Sequence, residues 1–340
     1  MIEEDFYKWE QFIFSCFNDD DIRSSLMSYI KSLLTKKSVI ILEIEHLAKL
    51  LGIKDDILKK MINGTGAFYY RFSIPKRSGG MREIAAPYPI LMQAQRWIND
   101  NLLSIQPTHS AATGFISGKS IKDNAYIHLN SKNILKIDLK DFFPSIGINR
   151  VIAIFLGMGY TPRISYYLAS LCCLNGVLPQ GAPTSPTLSN LIAKRIDYRI
   201  HGFTTKNNLQ YSRYADDIII SGDNVTPQIF AFIKKIITTE GFIINEDKVH
   251  FMKEHSQRII TGLSISNKKI TVPKINRRTI RQELHYINIF GLKGHMERKK
   301  INDPIYGYRL LGYLQFWKSI EPENIYVQQS IDNLNKALSS

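Results

Sequence analysis

The chain is short of cysteine, of acidic residues and of long apolar runs, and each shortage excludes something. Its three cysteines are Cys16 and the adjacent pair Cys172-Cys173, which match no zinc spacing and suggest no disulfide framework. No stretch reaches the roughly 18 uninterrupted apolar residues of a membrane span. The most apolar candidate, Leu26 to Ile41, is broken by Lys31, Lys36 and Lys37. The N-terminal Met-Ile-Glu-Glu-Asp is acidic, the opposite of a signal peptide. Internal repeats and low-complexity tracts are also lacking. These shortages predict a cytoplasmic protein with no membrane partner. Acidic residues number 30 against 44 Lys and Arg, a formal net charge of +14, and that balance suits a polyanionic partner. At 340 residues the chain has material for one large core or two smaller ones.

What is present is more specific. Tyr214-Ala215-Asp216-Asp217 stands between two runs of β-formers, Leu209 to Arg213 and Ile218 to Ser221, which reads as strand, tight turn, strand. Adjacent carboxylates at a hairpin tip repel, and a hard cation such as Mg²⁺ relieves them. A third carboxylate, Asp138, closes the mostly apolar run Ile134 to Leu139. Three carboxylates on neighbouring strands can hold two metals about 3.5–4 Å apart, the arrangement for in-line phosphoryl transfer. The pairs at Asp19-Asp20-Asp21 and Asp55-Asp56 sit in polar, helix-starting stretches and read as caps.

Between the carboxylate segments, Leu178-Pro179-Gln180-Gly181-Ala182-Pro183-Thr184-Ser185-Pro186 is uncharged and proline-rich. It forbids a regular element and opens into a helical pattern from Leu188 to Ile200. Residues 1–66 read as helical, with a helix-turn-helix pattern around Gly52, and Asn63 to Gly66 reads as a linker. Phe68 to Tyr88 reads as a hairpin turning at Ser78-Gly79-Gly80. Pro89 to Leu103 is expected to be helical, with Ile90, Leu91, Ala94, Trp97 and Ile98 inward. Residues 133 to 145 and 209 to 221 are expected to supply central strands. From Lys274 to Lys300 eight Lys or Arg face two Glu. There Ile280, Leu284, Ile287 and Phe290 keep a helical apolar stripe, with Arg277, Arg278 and Arg281 off it. This predicts a basic-faced helix, serving either as an RNA grip or as a solvated surface.

In their order, Asp138 with Phe142-Phe143, the Leu-Pro-Gln-Gly stretch and Tyr-Ala-Asp-Asp resemble the palm of a reverse transcriptase. Gly241 to Lys248 resembles the family's next motif. Thr261-Gly262-Leu263 is similar to its primer-gripping hairpin, and Ile74 to Ile84 to its fingers hairpin. Asn124-Ala125-Tyr126-Ile127-His128 matches the Asn-Ala-x-x-His motif of retron reverse transcriptases. Ile260-Thr261-Gly262 stands where those enzymes commonly have Val-Thr-Gly.

The resemblance implies an α+β right hand: a helical N-terminal segment (1–66), fingers and an antiparallel palm (67–267), and a helical, RNA-binding thumb (268–340). It implies an RNA-directed DNA polymerase with two Mg²⁺ ions bridged by Asp138 and Asp216 and supported by Asp217. Lys76, Arg77 and Arg82 are the expected triphosphate clamp, Arg82 foremost because guanidinium binds phosphate bidentately. Gln180 would lie against the nascent pair, Phe143 would be the steric gate, and Lys248 would lie near pyrophosphate. Asn124 and His128 are candidate RNA contacts, although at i, i+4 they also suit a buried polar pair. Arg277, Arg278 and Arg281 are further RNA-contact candidates. The implied partners are dNTPs, a cognate structured non-coding RNA and its branched RNA–DNA product, msDNA, primed from a guanosine 2′-hydroxyl. A separately encoded effector in anti-phage defence is implied as well. A group II intron-like or diversity-generating enzyme, or a catalytically idle RNA-binding scaffold, would share parts of this pattern.

Overall fold

The structure, a computed structural model, describes residues 2–76 and 79–339. Arg77 and Ser78, expected in the clamp and at the hairpin turn, lie outside the described residues. The chain divides into two compact units. One comprises Met1–Ile116, Leu139–Ile200 and Phe232–Asn245; the other comprises Ser117–Asp138, His201–Ala231 and Glu246–Ser340.

The N-terminal region is helical: α1 (Ile2–Cys16), α2 (Asp20–Thr35), α3 (Ile44–Leu51) and α4 (Asp55–Asn63). The carboxylate runs here serve helix starts. Asp19 caps α2 by accepting from the Asp21 and Ile22 amides, and Asp55 and Asp56 occupy the first turn of α4. Gly52, left-handed at φ 66°, ends α3. The expected linker is instead anchored, because Thr65 Oγ1 lies 2.9 and 3.0 Å from the Met61 and Ser170 carbonyls. Strands β1 (Tyr69–Pro75) and β2 (Met81–Pro87) form an antiparallel hairpin. Helix α5 (Pro89–Ile98) buries Leu91, Ala94 and Ile98, whereas Ile90 and Trp97 are only half-buried. Gln95 is fully buried there and donates to the Tyr69 hydroxyl and the Leu171 carbonyl, each at 2.7 Å.

Next come α6 (Ile121–Ile127), β3 (Asn133–Asp138), α7 (Ile148–Gly157), α8 (Pro162–Cys172) and α9 (Ser185–Lys206). Strand β3 ends at Asp138, not near residue 145. A turn with Asp141 at φ 47° follows, so Phe142 and Phe143 lie in a turn and not on a strand. The hairpin expected from Tyr-Ala-Asp-Asp is β4 (Gln210–Tyr214) and β5 (Asp217–Gly222). After α10 (Pro227–Thr239) come β6 (His250–Met252), β7 (Ile259–Ile260) and β8 (Leu263–Ser264).

The second unit holds a four-stranded sheet in the order β4-β5-β3-β6, antiparallel throughout. Side chains alternate across a pleated sheet, so the register fixes which residues share a face. Ser212, Ser221, Ile219, Ile134, Lys136, Asp138 and Asp217 lie on one side; Leu135, Ile137, Ile218, Ile220 and Arg213 lie on the other. Ile134 and Ile219 join a core with Ala125, Ile260, Leu263 and the inward residues of three C-terminal helices. Those helices are α11 (Lys274–Lys299), α12 (Tyr306–Ile320) and α13 (Ile325–Ser339).

Helix α11 buries Ile280, Leu284 and Ile287, as its stripe predicts. Phe290 departs from that expectation at 37% exposed. Gly291, at φ 71° and ψ 167°, breaks the helix immediately after it, so the stripe cannot continue. Glu283 holds the two pieces together. Burial opposes its charge, but it accepts from His295 at 2.7 Å and Tyr306 at 2.6 Å and pairs with Lys299, so its pKa is lowered to about 2. Among the described residues no helix is long and apolar enough to cross a membrane.

Candidate active site

The β4–β5 loop has two residues, since Tyr214 pairs with Asp217. Ala215 carries φ 57°, and Asp216 is not in the positive-φ region, the pattern of a type II′ turn, whose first central residue is usually glycine. An alanine there is strained. Arg213, fully buried on β4, donates from Nη1 to the Ala215 carbonyl at 3.1 Å and so holds the turn from beneath.

This turn sets the carboxylates. Asp138 and Asp217 stand directly opposite each other in the β3–β5 ladder, a like-charge pair that destabilises a sheet unless compensated. Two lysines supply the compensation. Lys136, two residues before Asp138 and on the same face, reaches diagonally to Asp217 Oδ2 at 3.0 Å. Lys248 ends the short 3-10 turn Glu246–Lys248 and lies 3.1 Å from both oxygens of Asp138. Asp216 is relieved less: a backbone hydrogen bond and the charge of Lys248 lower its pKa but do not win. Burial first, then the charge of Asp217, push its pKa up to about 6. Burial also raises Asp217, with Lys136 opposing. The tip carboxylates are half-buried, not exposed as a hairpin tip would suggest.

Among the described residues no three His, Cys, Asp or Glu converge as a ready metal cage. The donor set nevertheless fits a hard divalent cation in kind: carboxylate oxygens alone, carrying more negative charge than their half-buried setting tolerates. Asp138, Asp216 and Asp217 are the residues that would hold it, with Lys248 displaced from Asp138.

The first unit carries other expected residues. Lys76 and Arg82 are exposed at the β1–β2 hairpin. Phe142 is 4% exposed, whereas Phe143 is only half-buried, with its ring 6.1 Å from that of Phe115. The carbonyl of half-buried Gln180 accepts from the Ala85 amide of β2 at 2.9 Å. Gly181, at φ 125°, makes that approach possible, since a Cβ there would lie 2.6 Å from the Ala85 carbonyl oxygen.

Asn124 and His128 have no exposed surface, so in this arrangement neither presents a side chain to RNA. Both are buried, as the buried-pair reading expects, but the partners His128 shows are Ser212 and Ser221 on the sheet. The C-terminal arginines differ among themselves. Arg278 is exposed, Arg277 is half-buried, and the guanidinium of Arg281 lies 4.9 Å from the Tyr326 ring centre and 5.6 Å from that of Trp317. Sequence reasoning missed Lys136 and Arg213 as site residues. Lys136 had a signal, a lone cation inside the mostly apolar β3, where an uncompensated charge is costly; Arg213, in the polar and aromatic run Gln210 to Tyr214, had none.

Comparison with known proteins agrees with this geometry. Residues 74–284 match the family model described as reverse transcriptase (RNA-dependent DNA polymerase). The chain is 37% identical to the retron Ec86 reverse transcriptase of Escherichia coli, over 72% of this chain and 78% of that protein. It is 33% identical to the retron Mx65 reverse transcriptase of Myxococcus xanthus, over 75% of this chain and 62% of that protein. With the retron Ec83 reverse transcriptase of Escherichia coli it shares 30% identity over 83% of this chain and 93% of that protein. Carboxylates opposed across an antiparallel sheet, a half-buried Asp-Asp turn and these relatives together place the chain in the retron-type reverse transcriptases, as an RNA-directed DNA polymerase.

Proposed function

We propose that this polymerase copies part of a cognate structured non-coding RNA into msDNA, a branched RNA–DNA molecule primed from a guanosine 2′-hydroxyl. The product would act in anti-phage defence with a separately encoded effector. The observation that carries the catalytic reading is the register of Asp138 against Asp217, with Asp216 half-buried at the adjoining tip. The retron relatives support the RNA partner.

In this reading Asp138 and Asp216, with Asp217 in support, would hold two Mg²⁺ ions. The bound ions supply charge neutralisation to the primer hydroxyl, the triphosphate and the leaving pyrophosphate. Lys248, now on Asp138, would turn toward pyrophosphate once that carboxylate has another partner. Lys136 stays on Asp217 and keeps one negative charge of the cluster offset. Lys76, Arg82 and Arg77 clamp the triphosphate, with Arg82 offering a bidentate fork. Phe143 excludes a 2′-hydroxyl, and Gln180 lies against the nascent base pair. In right-hand terms the β1–β2 hairpin belongs to the fingers, the four-stranded sheet to the palm and α11–α13 to the thumb, where Arg277, Arg278 and Arg281 meet RNA.

Sequencing the nucleic acid that co-purifies with the protein tests this reading. One small RNA species joined covalently to DNA is expected. A heterogeneous set of cellular RNAs with no attached DNA would overturn the msDNA assignment.

A further inference from the structure

His128 lies on the same side of the sheet as Asp138 and Asp217, and it touches both strands of the catalytic hairpin. Its Nε2 is 2.7 Å from Ser212 Oγ on β4, and its Nδ1 is 2.7 Å from Ser221 Oγ on β5. Ser131 Oγ, just beyond α6, adds a 2.8 Å contact to Ser221 Oγ. A neutral imidazole donates from one nitrogen and accepts at the other, so one ring satisfies both hydroxyls. Full burial favours that neutral form, lowering the His128 pKa to about 3.

The two serines are not opposite one another. Ser212 pairs with Ile219 and Ser221 with Gln210, so they are diagonal neighbours on one face. A slip of one residue between β4 and β5 would turn one serine to the far face and break the bridge. The ring therefore reads the register of the hairpin that carries Asp216 and Asp217. That hairpin needs an external hold, because its turn places a non-glycine residue at φ 57°.

The rest of α6 is anchored in the same unit. Thr261, in the β7–β8 turn, donates to the Ile121 carbonyl at 3.2 Å. Lys122 Nζ donates to the Ile320 carbonyl at the end of α12 at 3.2 Å. Arg258 donates to the carbonyls of Ser131 at 2.5 Å and Ile265 at 3.2 Å. The turn holding Thr261 thus bonds to the first residue of the helix that carries Asn124 to Ile127 and is capped by His128.

We propose that α6 is a strut that holds β4 and β5 in register, with His128 as a positioning residue for the catalytic carboxylates and Thr261 and Lys122 as its moorings. This rests on the polymerase reading of Asp138, Asp216 and Asp217. A histidine that served folding alone would set how much enzyme is active; a positioning residue sets how fast each active molecule works.

Single-turnover primer extension, with enzyme in excess over an annealed RNA template and DNA primer, separates the two roles. Wild type is compared with Ser212→Ala, Ser221→Ala, His128→Gln and Thr261→Val. For the first three variants the rate constant is expected to fall about tenfold or more, since an ångström of misplacement can cost on the order of a hundredfold. Amplitude and the dNTP KM should stay within about twofold. Ser212→Ala added to His128→Gln should lower the rate no further, because both remove the same bridge. Thr261→Val, at the far mooring, should show a smaller loss of rate. Lower amplitude with an unchanged rate constant would overturn the strut and leave His128 a folding residue. Unchanged rates and amplitudes in an active wild type would overturn it as well. An inactive wild type would instead count against the polymerase reading itself.

Discussion

Asp216 pits function against stability. Its folded pKa, about 6, lies above the ordinary 3.8. A carboxyl with a raised pKa keeps its proton in the folded state after the unfolded chain has released it. Stability is therefore full below the ordinary value and falls as pH rises through about 4 to 6. Asp216→Asn removes that penalty. The variant is expected to melt above wild type at about pH 8, with the gap closing near pH 4; an equal gap at both would contradict the assigned desolvation. Ala215 gives a second test beside it. Ala215→Gly should keep DNA synthesis, because glycine accepts the left-handed turn. Ala215→Val places a β-branched side chain at positive φ in a buried position, a strain of about 1–3 kcal/mol. It should lower both melting temperature and extension rate, and normal extension by this variant would mean that the turn tolerates more than its geometry implies.

Helix α6 makes the same kind of statement about pH with the opposite protonation. His128 is buried neutral, its pKa lowered from 6.5 to about 3. The unfolded chain takes up a proton in that window and the folded chain does not, so the contribution of His128 is full above 6.5 and is lost as pH falls toward 3. The stability gap between wild type and His128→Gln is expected to shrink by up to about 1.4 kcal/mol per pH unit below 6.5, measured by denaturant unfolding. A constant gap would contradict a neutral buried ring. Helix α11 separates its arginines. Arg278→Glu should weaken RNA binding and flatten its salt dependence by about one logarithmic unit or more, leaving the melting temperature unchanged. Arg281→Ala should lower the melting temperature as well, because its guanidinium covers Trp317 and Tyr326. A loss of RNA affinity on Arg281→Ala with no thermal change would contradict that packing role. These elements also mark the limit of what the sequence shows. The stripe Ile280, Leu284, Ile287 was legible because its neighbours are close in the chain. Phe290 was misread, because a glycine after a stripe does not announce whether it will break the helix. The partners of His128 were invisible, because Ser212 and Ser221 lie 84 and 93 residues away and no local spacing connects them.

At the scale of the whole chain, the ordered motifs from Ile74 to Thr261 carried the reverse transcriptase family and a mixed helix-and-sheet fold, and they pointed to Asp138 and Asp217, which the β3–β5 register sets opposite each other. They did not carry the lysines that neutralise them, which depend on register: Lys136 reaches Asp217 only because β3 and β5 align Asp138 with Asp217. Nor did a linear domain reading anticipate that 117–138, 201–231 and 246–340 fall in one compact unit, so that the sheet bearing the carboxylates shares a core with the C-terminal helices. The central claim is that these carboxylates make the chain an RNA-directed DNA polymerase dependent on a divalent cation. The most direct test is extension of a DNA primer on an RNA template with dNTPs, with Mg²⁺ and with a chelator, by wild type and by folded Asp138→Asn and Asp216→Asn variants. The account predicts extension by wild type with Mg²⁺ and none in the other cases. Extension by either variant, or by wild type in chelator, would contradict it.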